Sequence, residues 1–315
     1  MGVSRGRPGR ASLARMTHEI VLGDPAYSSW SLRGWLLLER FGLPFRIRWV
    51  SFAEEASVAD QIPDLAPART VPTLLTPGGG VVWDSLAIAE ELAQRHADAG
   101  LWPEDPAARA CARSLAAEMH SGFAALREHC PMNLRVAYEG IAHRDDVLAD
   151  MARIETIWGH ARERFGAGGP WLCGRYSAAD AFFAPVAARI ATYGLPVRDE
   201  AAAYVAAHLA DPAFRRWRAL GLTQGPDLPW YARDHARRPW PGPDPVPAEV
   251  AEGPSENVAC PYSGKPVAHF LRLHGDNDDR VWGFCNAGCR DRTMADPAAW
   301  PAFARLAGIA EAEVP

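Results

Sequence analysis

At 315 residues, with 48% hydrophobic and 23% charged side chains, the chain has the composition of an ordinary soluble globular protein and room for two domains and an appendage. Its formal charge of -5, with arginines spread along helical stretches and not gathered in one patch, argues against a protein built to coat nucleic acid. No apolar run is long enough to cross a bilayer, so neither nucleic acid nor membrane is expected as a partner.

The first residues, Met1 to Arg15, are rich in Arg, Gly and Ser and lack acids. They read as a leader or disordered tail at 1–16, or as a start placed too early, with Met16 the alternative. The apolar strand Ile20-Val21-Leu22-Gly23 then runs through Tyr27-Ser28-Ser29-Trp30-Ser31-Leu32-Arg33-Gly34-Trp35 into Leu36-Leu37-Leu38, a buried helix that Gly42 and Pro44 stop. Serine at such a start caps free backbone amides, the commonest meaning of this pattern. The same amides, with the helix dipole, also suit a thiolate or carboxylate.

Phe45 to Val50 alternates as a second strand, completing a right-handed crossover unit, and 53–66 reads as an irregular helix or loop. Thr70-Val71-Pro72-Thr73-Leu74-Leu75 and Val81-Val82-Trp83 are two strands joined by the hairpin turn Pro77-Gly78-Gly79-Gly80, after which Asp84-Ser85 opens another helix. Pro72 removes a ladder donor, so it marks a strand start or edge, or a cis Val71-Pro72 bond that turns the Val71 backbone toward an extended peptide ligand.

This order, with Val-Pro-Thr-Leu before the hairpin and an acid-serine pair after it, resembles the thioredoxin-like N-terminal domain of glutathione transferases. The resemblance implies that Val71 and Pro72 hold the cysteinyl backbone of glutathione, and that Asp84 and Ser85 hold its γ-glutamyl amine and carboxylate. The turn at Ser28 to Arg33 is similar to the serine motif of zeta-class and related bacterial members, although Trp30 stands where zeta enzymes usually have cysteine. By that likeness Ser28 aligns with the catalytic serine, and Ser29 is its neighbour. A hydroxyl from either, with the helix N-terminus, would favour the glutathione thiolate. Arg33, one turn on, either adds positive potential there or makes an ordinary surface or interface ion pair.

From Asp105 the chain is helical, with apolar spacing over Ala107 to His129 and Leu148 to Phe165, and resembles the all-helical second domain of the same family. Ser177 and Asp180 form a capping box, to which a folding role is assigned, and Asp211 starts a further short helix. The electrophile is expected between the domains near Tyr27, Trp30, Met119 and Phe123. Cys111, Cys130 and Cys173 stand singly in helical surroundings and read as small buried side chains in a reducing compartment.

The segment 222–258 is rich in proline and reads as an extended, semi-rigid linker that packs partly through Trp230, Tyr231 and Trp240. Beyond it, Cys260-Pro261-Tyr262-Ser263-Gly264, a hairpin with an acidic turn at Asp276 to Asp279, and Phe284-Cys285-Asn286-Ala287-Gly288-Cys289 resemble the small YHS and TRASH metal-binding modules. Ser263 occupies the second knuckle position. Zinc prefers four ligands, so Cys260, Cys285 and Cys289 need help from His269, His274 or water, with His269 preferred because it alternates with Val267 and Leu271. The competing view is a packed relic held by Trp282, Phe284, Trp300 and Phe303.

The expected architecture is therefore an α/β thioredoxin-like domain at 17–98, an all-α domain at 104–221, the linker, and a small α+β knuckle-like appendage at 259–311. The expected function is that of a cytoplasmic, homodimeric glutathione transferase-like enzyme, with glutathione as cosubstrate, a small-molecule electrophile, peroxide or disulfide as its target, and zinc in the tail. The alternative is a non-catalytic metal-sensing or partner-binding protein on the same scaffold.

Overall fold

The computed structural model describes residues 17–274 and 280–310. The expected leader and the acidic turn at Asp276 to Asp279 lie outside the described residues. Strand β1 (His18–Leu22), helix α1 (Ser29–Glu39) and strand β2 (Phe45–Trp49) form the crossover unit, with β1 and β2 parallel. The chain continues through the short α2 (Val58–Gln61) and a 3-10 turn at Pro63–Leu65 to β3 (Thr73–Leu75) and β4 (Val81–Trp83), then to α3 (Ser85–Arg95). The sheet order is β2-β1-β3-β4, with β3 antiparallel to both neighbours.

β1 reads as a continuous apolar run because Ile20, Val21 and Leu22 are fully buried in a strand covered on both faces. α1 buries Leu32, Leu36, Leu37 and Leu38 in the shared core, on the order of 8 kcal/mol of apolar burial as an upper bound. Gly34 permits the close seating of α1. A Cβ there would lie 2.6 Å from the Pro72 Cβ and 3.1 Å from the Ile20 side chain.

The helical part comprises α4 (Pro106–Ser121), α5 (Ala124–His129), α6 (Asp145–Phe165), α7 (Ala178–Tyr193), α8 (Asp199–Ala210) and α9 (Pro212–Thr223), with a short strand β5 (Ala137–Glu139) between α5 and α6. Ala107 to His129 reads as one helix in sequence, yet it breaks at Gly122 and Phe123, where Phe123 takes φ 61°. The break exposes the last carbonyls of α4, and Arg127 bonds those of Met119, His120 and Gly122. α7 is buried along its whole length. Its start is the Ser177–Asp180 capping box, and the Asp180 carboxylate also accepts from the Leu172 amide (3.1 Å) and the Tyr204 hydroxyl (2.9 Å). Asp211 caps α9 and pairs with Arg40 at 2.8 Å.

The proline-rich stretch departs from the expected linker. β6 (Ala236–Arg238) pairs with β5, and β7 (Ala248–Ala251) joins β8 (His269–Leu273) and β9 (Val281–Phe284) in a three-stranded antiparallel sheet. Proline marked extended backbone correctly, but the free edge of β8 recruits 248–251 into the appendage, ahead of the boundary expected at 259. Tyr231 packs on Tyr27 (4.8 Å between rings) and Trp240 under the Arg218 guanidinium (4.4 Å), whereas Trp230 is exposed. The sheet is followed by α10 (Ala287–Ala295) and α11 (Pro301–Ala307), with Leu271, Trp282, Phe284 and Phe303 at the centre. Arg215 on α9 clasps Asp296 through two bonds of 2.7 and 2.8 Å, and Arg216 joins Glu39 of α1 to the Ala299 carbonyl. Among the described residues no helix is long and apolar enough to cross a membrane.

Candidate functional site

The N-terminus of α1 separates its two serines. Ser28 is the N-cap, with its Oγ accepting from the Ser31 amide (3.2 Å) and donating to the Ser31 hydroxyl (2.8 Å), which in turn accepts from the Gly23 amide (2.9 Å). Its hydroxyl thus ties the end of β1 to the helix. The Ser29 Oγ instead accepts from Arg189 Nη2 at 3.4 Å, across from the first unit to α7. Arg189 also donates to the carbonyls of Cys130 (2.9 Å) and Pro185 (3.2 Å), and burial, then Arg127, lowers its pKa to about 10.

The Val71–Pro72 peptide is cis, and Pro72 lies against Gly34 of α1. At the head of α3, Asp84 adopts φ 80° and ψ 131°, a region that an L side chain occupies only at a cost of about 1–2 kcal/mol. Its carboxylate accepts from the amides of Leu86 (2.8 Å) and Ala87 (3.4 Å) and meets His120 Nε2 at 3.1 Å. The adjacent Ser85 hydroxyl is buried and has no hydrogen-bond partner among the described residues. A strained acid beside an unanswered buried hydroxyl, both on one helix N-terminus, can receive an ammonium and a carboxylate together.

Arg33 is not a surface residue, and among the described residues it takes part in no ion pair. Its side chain is fully buried, the guanidinium lies 4.6 Å from the Trp30 ring centroid and 5.0 Å from that of Phe182, and none of its three nitrogens has a hydrogen-bond partner among the described residues. Arg127 approaches Trp30 at 4.8 Å, and the His120 ring meets it edge-on at 5.3 Å. Burial, then the Arg127 and Arg189 charges, pulls the Arg33 pKa well below its ordinary value, with Asp84 opposing. His120 is likewise lowered by burial against the pull of Asp84.

The expected substrate pocket is only partly assembled. Trp30 is half-buried at the junction of the two units. Met119 is wholly buried in the core and Phe123 nearly so. Tyr27 is buried too, its hydroxyl donating to Asp227 and accepting from the Leu228 amide, both at 3.3 Å, so it closes against 227–231 and not into the cleft. Helical periodicity placed Met119 and Phe123 on an inward face but could not separate core from cleft. His120, Arg127 and Arg189 were missed in sequence. The one signal was Arg189 itself, a cation in a helix that is largely apolar after the Asp180 of its first turn.

Residues 27–95 match the family model of the glutathione S-transferase N-terminal domain. The first unit of this chain has the thioredoxin-like fold of a glutathione S-transferase N-terminal domain. No curated protein matches the sequence. Among solved structures the chain is similar to a glutathione transferase homolog from Burkholderia GL BGR1 with bound glutathione, at 24% identity and TM-score 0.49 over 64% of this chain and 96% of that one. It is also similar to a glutathione transferase from Methylococcus capsulatus, at 21% identity and TM-score 0.49 over 65% of this chain and 100% of that one. A Tau class glutathione S-transferase from mango, Mangifera indica, shows 15% identity and TM-score 0.49 over 66% of this chain and 96% of that one. The first unit contains the Ser28 turn, Val71–Pro72 and Asp84–Ser85, and the helices after it supply His120, Arg127, Phe182 and Arg189.

A second cluster lies in the appendage. The Sγ atoms of Cys260, Cys285 and Cys289 all lie within 4.8 Å of one another, with Cys285 and Cys289 at 4.0 Å. Around them, the Ser263 hydroxyl donates to Cys285 Sγ at 3.2 Å, Asn286 Nδ2 to the same sulfur at 3.3 Å, and Arg292 Nη2 to Cys289 Sγ at 3.7 Å. Burial raises the Cys260 pKa, but the backbone amides of Cys285, Tyr262 and Ser263 outweigh it and bring the thiol to about 6. Three thiols with a hydroxyl beside them suit a borderline or soft cation. His269 is not part of this group. It pairs with Phe284 across β8 and β9, so the two share a face, whereas Cys285 is one residue further along. Of the remaining cysteines only Cys130 is a buried side chain, while Cys111 and Cys173 are half-buried; burial chiefly raises Cys130 to about 11 and Cys173 to about 12.

Proposed function

We propose that this protein binds glutathione between its glutathione S-transferase N-terminal domain, taken as 17–98, and the helical domain at 104–221, and activates the thiol toward a small electrophile, a peroxide or a disulfide. The observation that carries the reading is the head of α3, where Asp84 holds a strained backbone and Ser85 leaves a buried hydroxyl without a partner. In this reading the γ-glutamyl end sits on Asp84 and Ser85, the cysteinyl backbone runs along Val71 and Pro72, and the thiol meets the start of α1. Ser29 is the better placed hydroxyl, since that of Ser28 is held within the helix cap. The helix N-terminus and the nearby guanidinium of Arg189 favour the charged form, each unit of pKa lowering being worth about 1.4 kcal/mol. A cytoplasmic homodimer is the assembly that goes with this reading.

The cysteine cluster supports a metal-binding appendage, with Cys260, Cys285 and Cys289 holding a zinc ion and Ser263 or a water completing its shell. It also favours a second reading, in which the transferase-like body is a scaffold and the appendage senses metal. Calorimetric titration with glutathione, followed by a panel of glutathione-dependent reactions, separates the two. Binding with any thiol transfer supports the enzyme, and binding of metal without affinity for glutathione overturns it.

A further inference from the structure

Arg33 is a buried cation for which the described residues provide no acceptor. Its side chain is fully buried and all three of its nitrogens lack hydrogen-bond partners. Arg127 and Arg189 add positive charge beside it, and the carboxylate that opposes them, Asp84, is already engaged with His120 and the amides of α3. The faces of Trp30 and Phe182, at 4.6 and 5.0 Å, offset only part of the penalty for burying an unpaired charge. A Met or Leu would fill the same space without that penalty. Arg127 and Arg189 differ from Arg33 in having backbone carbonyls as partners, so the demand for an anion is concentrated on one residue.

We propose that Arg33, with Arg127 beside it, is a carboxylate-binding site of the cleft, covered by the Trp30 indole. A guanidinium presents paired donors that match the two oxygens of a carboxylate. Trp30 is half-buried and lies over the Arg33 guanidinium, so displacing its ring opens the site from the cleft. Arg33 stands one helical turn beyond Ser29 and carries a charge that Asp84 counters, which puts the site between the thiol end and the γ-glutamyl end of the proposed glutathione position. The carboxylate belongs either to glutathione or to the second substrate. Only the first of these sources rests on the reading given under Proposed function.

The test is titration of the full-length protein at constant ionic strength with succinate, with glutathione, and with a glutathione analogue whose γ-glutamyl carboxylate is an amide, followed by calorimetry and tryptophan fluorescence. Arg33→Met is compared with wild type, and Arg33→Gln is used if the Met variant does not fold. Saturable succinate binding that the variant loses assigns the site to a second substrate, and it stands even where glutathione does not bind. Glutathione affinity that falls about tenfold or more in the variant, without a matching fall for the amide analogue, assigns it to glutathione. Removing an uncompensated charge should also leave the melting temperature unchanged or higher, which a purely structural arginine would not do. Wild-type affinity for every carboxylate in a folded variant overturns the proposal, as does a wild type that binds none of them.

Discussion

Asp84 allows stability and binding to be separated by two substitutions at one position. In the folded chain its carboxylate caps α3 through Leu86 and Ala87, and its backbone sits at φ 80°. Asp84→Ala removes the cap, about 1 kcal/mol, and a partly exposed pairing with His120 worth roughly 0.2–1 kcal/mol, while keeping the unfavourable φ. Asp84→Gly loses the same carboxylate, but glycine occupies that φ freely and caps a helix within a few tenths of a kcal/mol of aspartate, so about 1–2 kcal/mol of strain is relieved. The expected order in urea unfolding at pH 7 is wild type close to Asp84→Gly, with Asp84→Ala about 1–2 kcal/mol below. Both variants should lose glutathione affinity in calorimetry, because the ligand's ammonium loses its counter-charge. A Gly variant less stable than the Ala variant would refute the strain argument. Wild-type glutathione affinity in either one, folded, would refute the ligand role.

Ser29→Ala is expected to reduce thiol transfer more than glutathione affinity and to raise the pKa of the bound thiol, read by thiolate absorbance; Ser28→Ala should instead lower stability by about 1 kcal/mol as a lost cap and leave that pKa in place. Stoichiometric zinc is expected in protein expressed in zinc-replete medium, lost in Cys285→Ala and held more tightly in Ser263→Cys; wild-type protein without zinc removes metal from the account. His208 is fully buried, and burial, then Arg40, lowers its pKa from 6.5 to about 3. The unfolded chain therefore takes up a proton that the folded chain refuses, so this stabilisation is present above pH 6.5 and is lost at about 1.4 kcal/mol per unit as the pH falls toward 3. Between pH 7 and pH 5, His208→Phe should lose about 2 kcal/mol less than wild type in urea unfolding, and equal losses would refute the burial argument.

The first unit was legible because its signals are local. The apolar run of β1, the serine cap of α1, the glycine hairpin and the acid that opens α3 each fall within a few residues, and each appears in the structure near its expected place. The break at Gly122 and Phe123 was not legible, since apolar spacing continues through it and only the capping of α4 by Arg127 shows why the chain turns there. The pairing of 248–251 with β8 was hidden for a related reason. A short strand in a proline-rich segment is defined by its partner, and the partner is more than a dozen residues away. His269 shows the limit of alternation, which placed it on the inward face with Leu271 but could not say that the cysteines gather elsewhere.

The charged residues of α7 show how much of a site can be read once burial is known. Along Ala178–Tyr193 every residue is buried, and Asp180 and Arg189 are its charged side chains. Such groups are retained in a core only with partners. Asp180 finds Leu172, Ser177 and Tyr204, which makes it a fold residue. Arg189 finds two carbonyls and then Ser29, so its third contact crosses to the start of α1, where the proposed chemistry lies. Arg33, facing the same helix through Phe182, finds no acceptor among the described residues. The gradient from satisfied to unsatisfied charge therefore runs from the buried cap of α7 toward Trp30, and the group that would complete it is an anion entering from the cleft.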